Sequence, residues 1–195
     1  TEPTFAILKH TNACGLASRA TVKQAWLDAL ACDPVSAFGG VLITNQKIDK
    51  ETAEEINQLF FEVLIAPDYE AEALEIFSTK KNRVILQRNP IELGKKQFKT
   101  LLNGVIEQDK DLCIELRDQM TTVTEKGPTD AEYADLEFAN KLVKHTKSNT
   151  IVLVKNQVLL ASGVGQTSRV DALRQAIVKA KEFGFSLEGS VMTSD

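Results

Sequence analysis

A lysine and a histidine stand side by side where a short apolar stretch ends. The stretch is TFAILK, residues 4–9, and Lys9 is followed by His10, one of only two histidines in the chain. Successive side chains on a strand point to opposite faces, so both can reach one ligand only where the strand ends and the backbone bends. A histidine can accept a proton near neutral pH, and an adjacent ammonium can stabilise a developing oxyanion. A surface lysine beside a histidine that caps a loop gives the same pattern, and spacing alone favours that simpler interpretation.

Three further polar stretches could contribute to a site. DPVSAFGG, residues 33–40, places a serine before a glycine turn whose N–H groups can approach a ligand, or it is a plain turn with Phe38 in the core. KSNT contains Asn149, which could orient an amide or amine or simply form a turn. GVGQTSRV places Arg169 at a predicted helix N-terminus, where anion binding and plain capping explain the pattern equally well. This last stretch is neither a Walker loop nor a G-x-G-x-x-G motif.

Metal ligation has little support in the spacing of histidine and cysteine. His10 and Cys14 could form a zinc pair in a nucleoside-deaminase-like fold, but the H-x-E and P-C-x-x-C signatures of zinc deaminases are absent. His145 fits a capping charge at a helix end better than a ligand. The three cysteines cannot all pair and none has C-x-x-C spacing, so we expect reduced thiols and no metal.

Composition and charge exclude several classes of partner. The 195 residues are 43% hydrophobic and 26% charged, as in an ordinary globular protein of one domain or two small ones. A net charge of −4 argues against a general binder of nucleic acid or anionic membranes but leaves room for a local basic pocket. No apolar run approaches the about 18 residues of a membrane span, and no signal peptide is recognisable. We therefore expect a cytoplasmic protein.

The ends of the sequence predict a piece of a longer polypeptide. It opens at Thr1 without an initiator methionine and closes on GSVMTSD, just after a new apolar segment begins. A site within it is therefore expected to be incomplete.

Strand and helix patterns alternate in the first half of the chain. Residues 4–9 are predicted to be a buried strand followed by a loop, and Thr21 with Gln24 begins a helix that Asp33-Pro34 ends. The further predictions are strands at 39–44, 62–67 and 83–87, a helix at 49–60 capped by Asp49, and a helix capped by Asp68. Such alternation favours a largely parallel sheet covered on both faces.

A second α/β unit follows a less regular stretch. The pattern loosens between residues 89 and 122, and TEKGPT marks a boundary near residue 127. The chain is therefore predicted to be an α/β protein of two subdomains, 1–126 and 127–195, with the second incomplete. The local signals of the second unit are a capping box of Thr129 with Glu132, a hairpin turn at Asn156-Gln157, a cap of Ser168 with Asp171, and Gly184 after the last helix.

Five motifs occur in an order that resembles one enzyme family. They are KHTNACG, DPVSAFGG, EVLIAPDYEAEALEI, PTDAEYADLEFANKLVKHTKSNTIVLVKN and GVGQTSRVDALRQA. In this order they resemble the transformylase domain of the bifunctional purine-biosynthesis proteins, which join AICAR formyltransferase to IMP cyclohydrolase. The resemblance spans essentially the whole chain. The cyclohydrolase domain and the Y-G-x-N-P-H-Q stretch of the family are missing, as are F-F-P-F and the C-terminal part that follows it.

The resemblance implies a fold, a reaction and partners. The fold would be a three-layer α/β/α, cytidine-deaminase-like arrangement without zinc, in two similar subdomains. The reaction would be formyl transfer from the co-substrate 10-formyltetrahydrofolate to the 5-amino group of AICAR, which gives FAICAR on the route to IMP. The active site of the family lies across a homodimer interface, so the fragment alone is expected to be inactive or nearly so.

The resemblance also implies roles for matching residues. His10 would be the proton acceptor, Lys9 would stabilise the transition state, and Asn149 would lie beside the reacting groups. On the substrate side, Glu62 stands where some members have aspartate and keeps the carboxylate. The residues implied to bind substrate are Phe38 and Gly39 of the Phe-Gly turn, Glu62 and Arg169 for AICAR, and Val170 near the folate.

Two other classes of function compete with this expectation. A non-catalytic α/β module for ligand binding or oligomerisation would keep the fold without the chemistry. A zinc nucleoside deaminase would share the α/β pattern, although its signature is missing.

Overall fold

The computed structural model describes residues 2–195, which form one large sheet, a separate hairpin and five α-helices. In chain order the elements are β1 (Thr4–Lys9), β2 (Asn12–Ser18), α1 (Val22–Cys32), β3 (Gly40–Thr44), α2 (Lys50–Ile56), β4 (Phe61–Ala66), α3 (Ala71–Ser78), β5 (Val84–Gln87), β6 (Lys96–Leu101), β7 (Gly104–Asp109), α4 (Asp130–Val143), β8 (Ile151–Lys155), β9 (Val158–Gly163), α5 (Arg169–Glu182) and β10 (Val191–Ser194). A short 3-10 turn at Arg117–Gln119 precedes α4.

The large sheet has eight strands in the order β10-β8-β9-β2-β1-β3-β4-β5. Only β3, β4 and β5 run parallel to one another, and the other neighbouring pairs are antiparallel. The expectation of a largely parallel sheet is therefore wrong. The reason is that β1–β2 and β8–β9 are joined by two-residue turns, and a turn that short can connect only antiparallel strands.

Helices cover both faces of the sheet, which confirms the three-layer α/β/α fold. On one face, the Trp26 ring of α1 lies 5.1 Å from the Phe5 ring of β1, measured between ring centroids. On the same face, Ala172 and Ala176 of α5 pack on the apolar side chains of β8 and β9. On the opposite face, α4 packs across β8 and β10 and buries Phe138. Alternate residues of β8 therefore enter different apolar clusters, as the period of two requires.

Most predicted helix caps are confirmed. The Thr21 hydroxyl accepts a hydrogen bond from the Gln24 backbone N–H at 3.2 Å, and Thr129 and Glu132 form a reciprocal capping box. The predicted caps Asp49 and Ser168 also accept helical N–H groups, and Gly184 follows α5 with φ 78°.

Two predictions in the first half need correction. Asp68 does not cap α3, because its carbonyl accepts the Ile48 N–H at 3.1 Å, and Glu70 becomes the N-cap residue. The backbone bridge between Ile48 and Tyr69 thus delays the start of the helix. The helix predicted for 49–60 ends at Ile56.

The two hairpin turns differ in how well the sequence predicts them. The turn at Asn156-Gln157 is confirmed, and both residues have positive φ, as a tight hairpin requires. The loop expected after Lys9 is wrong, because Lys9 pairs directly with Asn12 and the chain turns at His10 and Thr11. The hairpin β6–β7, within the irregular stretch 89–122, is not predicted from the sequence, and all its residues are exposed.

Two glycines allow helices to approach the sheet closely. A Cβ atom at Gly15 would lie 2.0 Å from the Ala29 carbonyl oxygen of α1, and one at Gly163 would lie 1.9 Å from the Ala172 carbonyl oxygen of α5. Both distances are far below van der Waals contact, and the obstacle is backbone in each case. Any larger residue at these positions must push a helix away from the sheet.

We predict that Gly15→Ala destabilises the fold by about 1–3 kcal/mol, because the added methyl group overpacks the contact between β2 and α1. Urea denaturation of the chain and of the variant measures this difference in unfolding free energy. Gly94→Ala is the matched control, since a Cβ there meets nothing within 4 Å. Equal midpoints for the two variants would show that α1 can shift without cost.

Candidate active site

The ends of seven strands meet at one edge of the large sheet, and every predicted site residue lies there. Strands β1, β9 and β10 end at this edge, whereas β2, β3, β4 and β8 begin there, as their pairing registers show. Ligands of open α/β sheets usually bind beyond the carboxyl ends of strands, and β1, β9 and β10 present their carboxyl ends at this edge. The parallel strands β3 and β4 instead bring their amino ends to the site.

Lys9 and His10 occupy the last position of β1 and the first position of its turn. His10 has φ 55°, so the backbone bends there and its exposed side chain no longer follows the alternation of the strand. The Lys9 ammonium donates a hydrogen bond to the Phe38 carbonyl oxygen at 2.5 Å. An ammonium has three donors, so two remain for a ligand. The bend required for the two side chains to share one ligand is therefore present.

The Phe-Gly turn before β3 closes one side of the site. Gly39 has φ 68°, its N–H donates to the Phe60 carbonyl oxygen at 2.9 Å, and a Cβ there would lie 3.4 Å from the Lys9 ammonium nitrogen. The Phe38 side chain is 61% exposed and packs against the Phe60 ring at 5.3 Å between centroids. Phe38 is therefore not a core residue, and its ring stays available to a planar ligand.

Glu62 lies beside this turn because the pairing of β3 with β4 is irregular. Gly40 pairs with Phe61 and Val41 with Val63, so Glu62 is an extra residue on β4. Bulges of this kind re-aim side chains and are common next to active sites. The Glu62 side chain is exposed at the site edge.

Asn149, Arg169 and Val170 form the second half of the site. The Asn149 side-chain amide donates to the carbonyl oxygens of Gln166 and Thr167 at 3.0 and 3.3 Å. Arg169 begins α5, and its guanidinium donates to the Ser194 hydroxyl at 3.1 Å and to the Asp195 carbonyl oxygen at 2.8 Å. Val170 is 56% exposed on the same turn of helix. The predicted cap of α5 is formed by Ser168, whose hydroxyl accepts a hydrogen bond from the Asp171 N–H.

A pocket of about 250 Å³ links the two halves. Lys9 and His10 line it from the first half, and Ser162 and Val164 line it from the end of β9. The loop that continues from Val164 carries Gln166, whose carbonyl oxygen accepts from Asn149. The structure therefore brings the Lys-His pair and the Asn149 region to the same side of the sheet. Ser36, Gln175 and Lys179 also line this pocket.

An ion pair behind the pocket holds the Phe-Gly segment in place. Asp33 is 2% exposed, and its carboxylate lies 2.5 Å from the Lys179 ammonium of α5 and accepts the Ser36 N–H at 2.8 Å. Burial alone would raise the pKa of Asp33, but the hydrogen bonds from Lys179 and Ser36 outweigh it and hold that pKa below its usual value. The sequence does not single out Lys179, since a lysine on a helix surface is ordinary. The only local signal is that Lys179 lies four residues after Gln175, which puts both pocket-lining residues on the same face of α5.

The residues considered for zinc were compared with the arrangement that a metal site needs. Within residues 2–195, no group of three or more His, Cys, Asp or Glu side chains could hold a metal ion. The Cys14 thiol donates to the Ile7 carbonyl oxygen at 3.4 Å, and burial, reinforced by Asp33, raises its pKa to about 11. Burial therefore disfavours the thiolate form of Cys14 in the chain as it stands. His145 is exposed just after the end of α4, whereas His10 lies in the turn after β1.

Comparison with known proteins identifies the family. The family model described as AICARFT/IMPCHase bienzyme matches residues 1–179. The chain belongs to this family.

Curated relatives include three bacterial proteins named bifunctional purine biosynthesis protein PurH. The protein of Bacteroides thetaiotaomicron is 69% identical over 192 residues, which is 98% of this chain and 38% of that protein. The proteins of Aquifex aeolicus and Chlorobium luteolum are 47% and 43% identical over 97% and 100% of this chain, and the match covers 37% of each relative. This chain therefore spans less than two fifths of the length of these relatives.

Within the described residues, no helix is long and apolar enough to cross a bilayer.

We predict that Asp33→Asn lowers the unfolding free energy by about 2 kcal/mol at neutral pH, because a buried charged hydrogen bond is lost. The folded-state pKa of Asp33 is lowered, so its stabilisation is complete above the unfolded pKa and disappears as the pH falls through the folded value. The difference between the two proteins should therefore be largest above about pH 5 and shrink below about pH 4.

Urea denaturation at a series of pH values measures this difference. Asp111→Asn is the control, because Asp111 is 69% exposed and pairs with Lys144 at 3.4 Å on the surface. If Asp33→Asn lowers the unfolding free energy by the same amount at every pH, the effect does not come from the Asp33 charge.

Proposed function

We propose that this chain is the first part of a transformylase that moves a formyl group from 10-formyltetrahydrofolate to the 5-amino group of AICAR, in de novo purine biosynthesis. Membership of the AICARFT/IMPCHase bienzyme family supports the reaction class. The observation that carries the proposal is the convergence of Lys9, His10 and the Asn149 region at one edge of the sheet.

The proposed chemistry needs a base and a cation close together. Transfer forms a bond between the amine nitrogen and the formyl carbon and breaks the bond from that carbon to N10 of the folate. The amine is delocalised into the ring and is a weak nucleophile, so loss of its proton to His10 assists attack. The ammonium of Lys9 stabilises the negative charge that develops on the formyl oxygen. The proton taken from the amine is returned to N10 as the folate leaves.

The remaining residues have roles in binding. Gly39 and Phe38 form the turn that holds the AICAR side, with Glu62 and Arg169 as its charged groups. Val170 lies near the folate, and Asn149 lies beside the reacting atoms. We propose that the intact protein is a cytoplasmic homodimer. Each of its chains contains two similar transformylase subdomains, of which residues 1–126 are the first and residues 127–195 are the start of the second. The fragment alone is then inactive or nearly so.

A non-catalytic binding or oligomerisation module is the alternative from another class. It would keep the same pocket but would not depend on the basicity of His10. A zinc deaminase is a weaker alternative, because within residues 2–195 no group of three or more His, Cys, Asp or Glu side chains is placed to hold a metal ion. Metal analysis of the purified protein separates it, since a deaminase would hold one zinc per chain.

We predict that His10→Ala in the full-length parent protein lowers kcat for formyl transfer by about 10²–10⁴-fold, because the proton acceptor is removed. This corresponds to about 3–5 kcal/mol of transition-state stabilisation. Steady-state kinetics with AICAR and 10-formyltetrahydrofolate measure it.

His145→Ala is the matched control, because His145 is the other histidine of the chain and is exposed outside the site. It should leave kcat unchanged. If His10→Ala behaves like His145→Ala while formyl transfer proceeds, the catalytic role of His10 is wrong. If the parent has no formyl-transfer activity, the transformylase proposal is wrong, and the metal analysis then separates the non-catalytic module from a zinc deaminase.

We also predict that calorimetric titration with AICAR gives binding to the full-length parent and much weaker binding to this 195-residue chain. The reason is that the site edge is lined by exposed residues, so further parts of the protein must enclose the ligand. Equal affinity would show that the nucleotide pocket is complete within these residues. In that case the remainder of the protein would serve folate binding and catalysis.

A further inference from the structure

One part of the sheet surface is apolar and has no layer over it. On β1 and β3, Ala6 pairs with Ile43 and Leu8 pairs with Val41, so these four side chains share one face. The face continues through the side chains paired with them on β4 and β5, which are Val63, Ile65, Val84 and Leu86. Val84 and Leu86 are 50% and 46% exposed, and the other members are only partly buried. We call the part on β1 and β3 the open face.

The opposite face of the same strands is fully covered. Phe5, Ile7 and Leu42, which alternate with the residues of the open face, are 0% exposed beneath the helices of that side. Among residues 2–195, the helix on the side of the open face is α4. This helix packs on β8 and β10 and not on β1 and β3. A surface of contiguous β-branched and aliphatic residues is unusual on a strand that faces water, because such strands normally alternate with polar residues.

The sheet is arranged symmetrically about the pair β2–β9. The strand order reads β3-β1-β2 on one side of this pair and β10-β8-β9 on the other. Each side consists of a hairpin with a two-residue turn, a helix, and a strand antiparallel to the first strand of the hairpin. In this arrangement β1 corresponds to β8 and β3 corresponds to β10.

The unit β8-β9-α5-β10 is preceded by a helix for which the matching unit β1-β2-α1-β3 has no counterpart within residues 2–195. Helix α4, 14 residues long, directly precedes β8 and covers β8 and β10 with Phe138, Ala139, Leu142 and Val143. The strands that correspond to β8 and β10 are β1 and β3, and they carry the open face. A groove of about 430 Å³, lined by Thr4 and Leu16 on one side and by Phe138 on the other, lies between α4 and this region.

We infer that the open face binds an amphipathic helix of the parent polypeptide that immediately precedes β1, as α4 precedes β8. This helix is about as long as α4 and presents apolar residues at the spacing of Phe138, Ala139, Leu142 and Val143. It packs on Ala6, Leu8, Val41 and Ile43 and lies next to α4 across the groove. The match to the Bacteroides relative covers 38% of that protein, so full-length members have further chain for this purpose.

Photo-crosslinking in the full-length parent tests the inference. The crosslinking amino acid p-benzoylphenylalanine replaces Ile43 in one variant and Val41 in another, and mass spectrometry identifies the peptide to which it becomes attached. The expected product is an adduct within the same chain, on the segment before residue 1. The same crosslinker at Val178, which is 56% exposed on α5, is the control and should not reach that segment.

Other outcomes overturn the inference. An adduct on a different part of the same chain, or on a second copy in a mixed-isotope dimer, would identify another occupant. If either crosslinking variant fails to fold, Ile43→Cys in a Cys113→Ser background of the full-length protein replaces it. Slow labelling of this thiol, together with fast labelling in a parent lacking the segment before residue 1, supports the inference. Labelling as fast as at Val178→Cys would show that the face is open to water.

Discussion

Strands β2 and β9 lie antiparallel at the centre of the sheet, and the position of the candidate site depends on this pairing. Ala17 pairs with Val158, the Ser18 N–H donates to the Gln157 carbonyl oxygen at 3.0 Å, and the Arg19 guanidinium donates to the Asn156 carbonyl oxygen. Each strand also belongs to a tight hairpin, so fixing this one register fixes both halves. The start of β2 and the end of β9 consequently reach the same edge, and the polar turns of both halves face one pocket.

A second link between the halves lies directly behind that pocket. The Asp33 carboxylate follows α1, and the Lys179 ammonium belongs to α5, so their ion pair joins the helices of the two halves. Gly15 and Gly163 let those helices approach the sheet closely. The same carboxylate accepts a hydrogen bond from the Ser36 N–H and so anchors the segment that ends in the Phe-Gly turn. In that turn, the Phe38 carbonyl oxygen accepts a hydrogen bond from the Lys9 ammonium. Packing at the centre of the protein thus sets the position of a cation at its edge.

The fold leaves the site and one sheet face accessible, and both observations fit a piece of a larger protein of the family. Phe38, Glu62 and Val170 are exposed along the site edge. The apolar residues of β1 and β3 are partly exposed on the face next to α4. The chain covers less than two fifths of the length of the relatives it matches. We propose that other parts of such a protein cover both surfaces.

The sequence by itself determined the helix caps at Thr21, Thr129 and Ser168, the Asn156-Gln157 turn and the family, because each depends on residues close together in the chain or on ordered motifs. It also placed Lys9 and His10 at a strand end. Only the tertiary structure decided the mixed sheet, the common edge and the role of Lys179. The antiparallel pairing of β1 with β3 and of β2 with β9 depends on long-range contacts that leave no local pattern. Asp33 illustrates the difference, since the sequence shows a helix stop and the fold makes it a buried partner of a lysine on a distant helix.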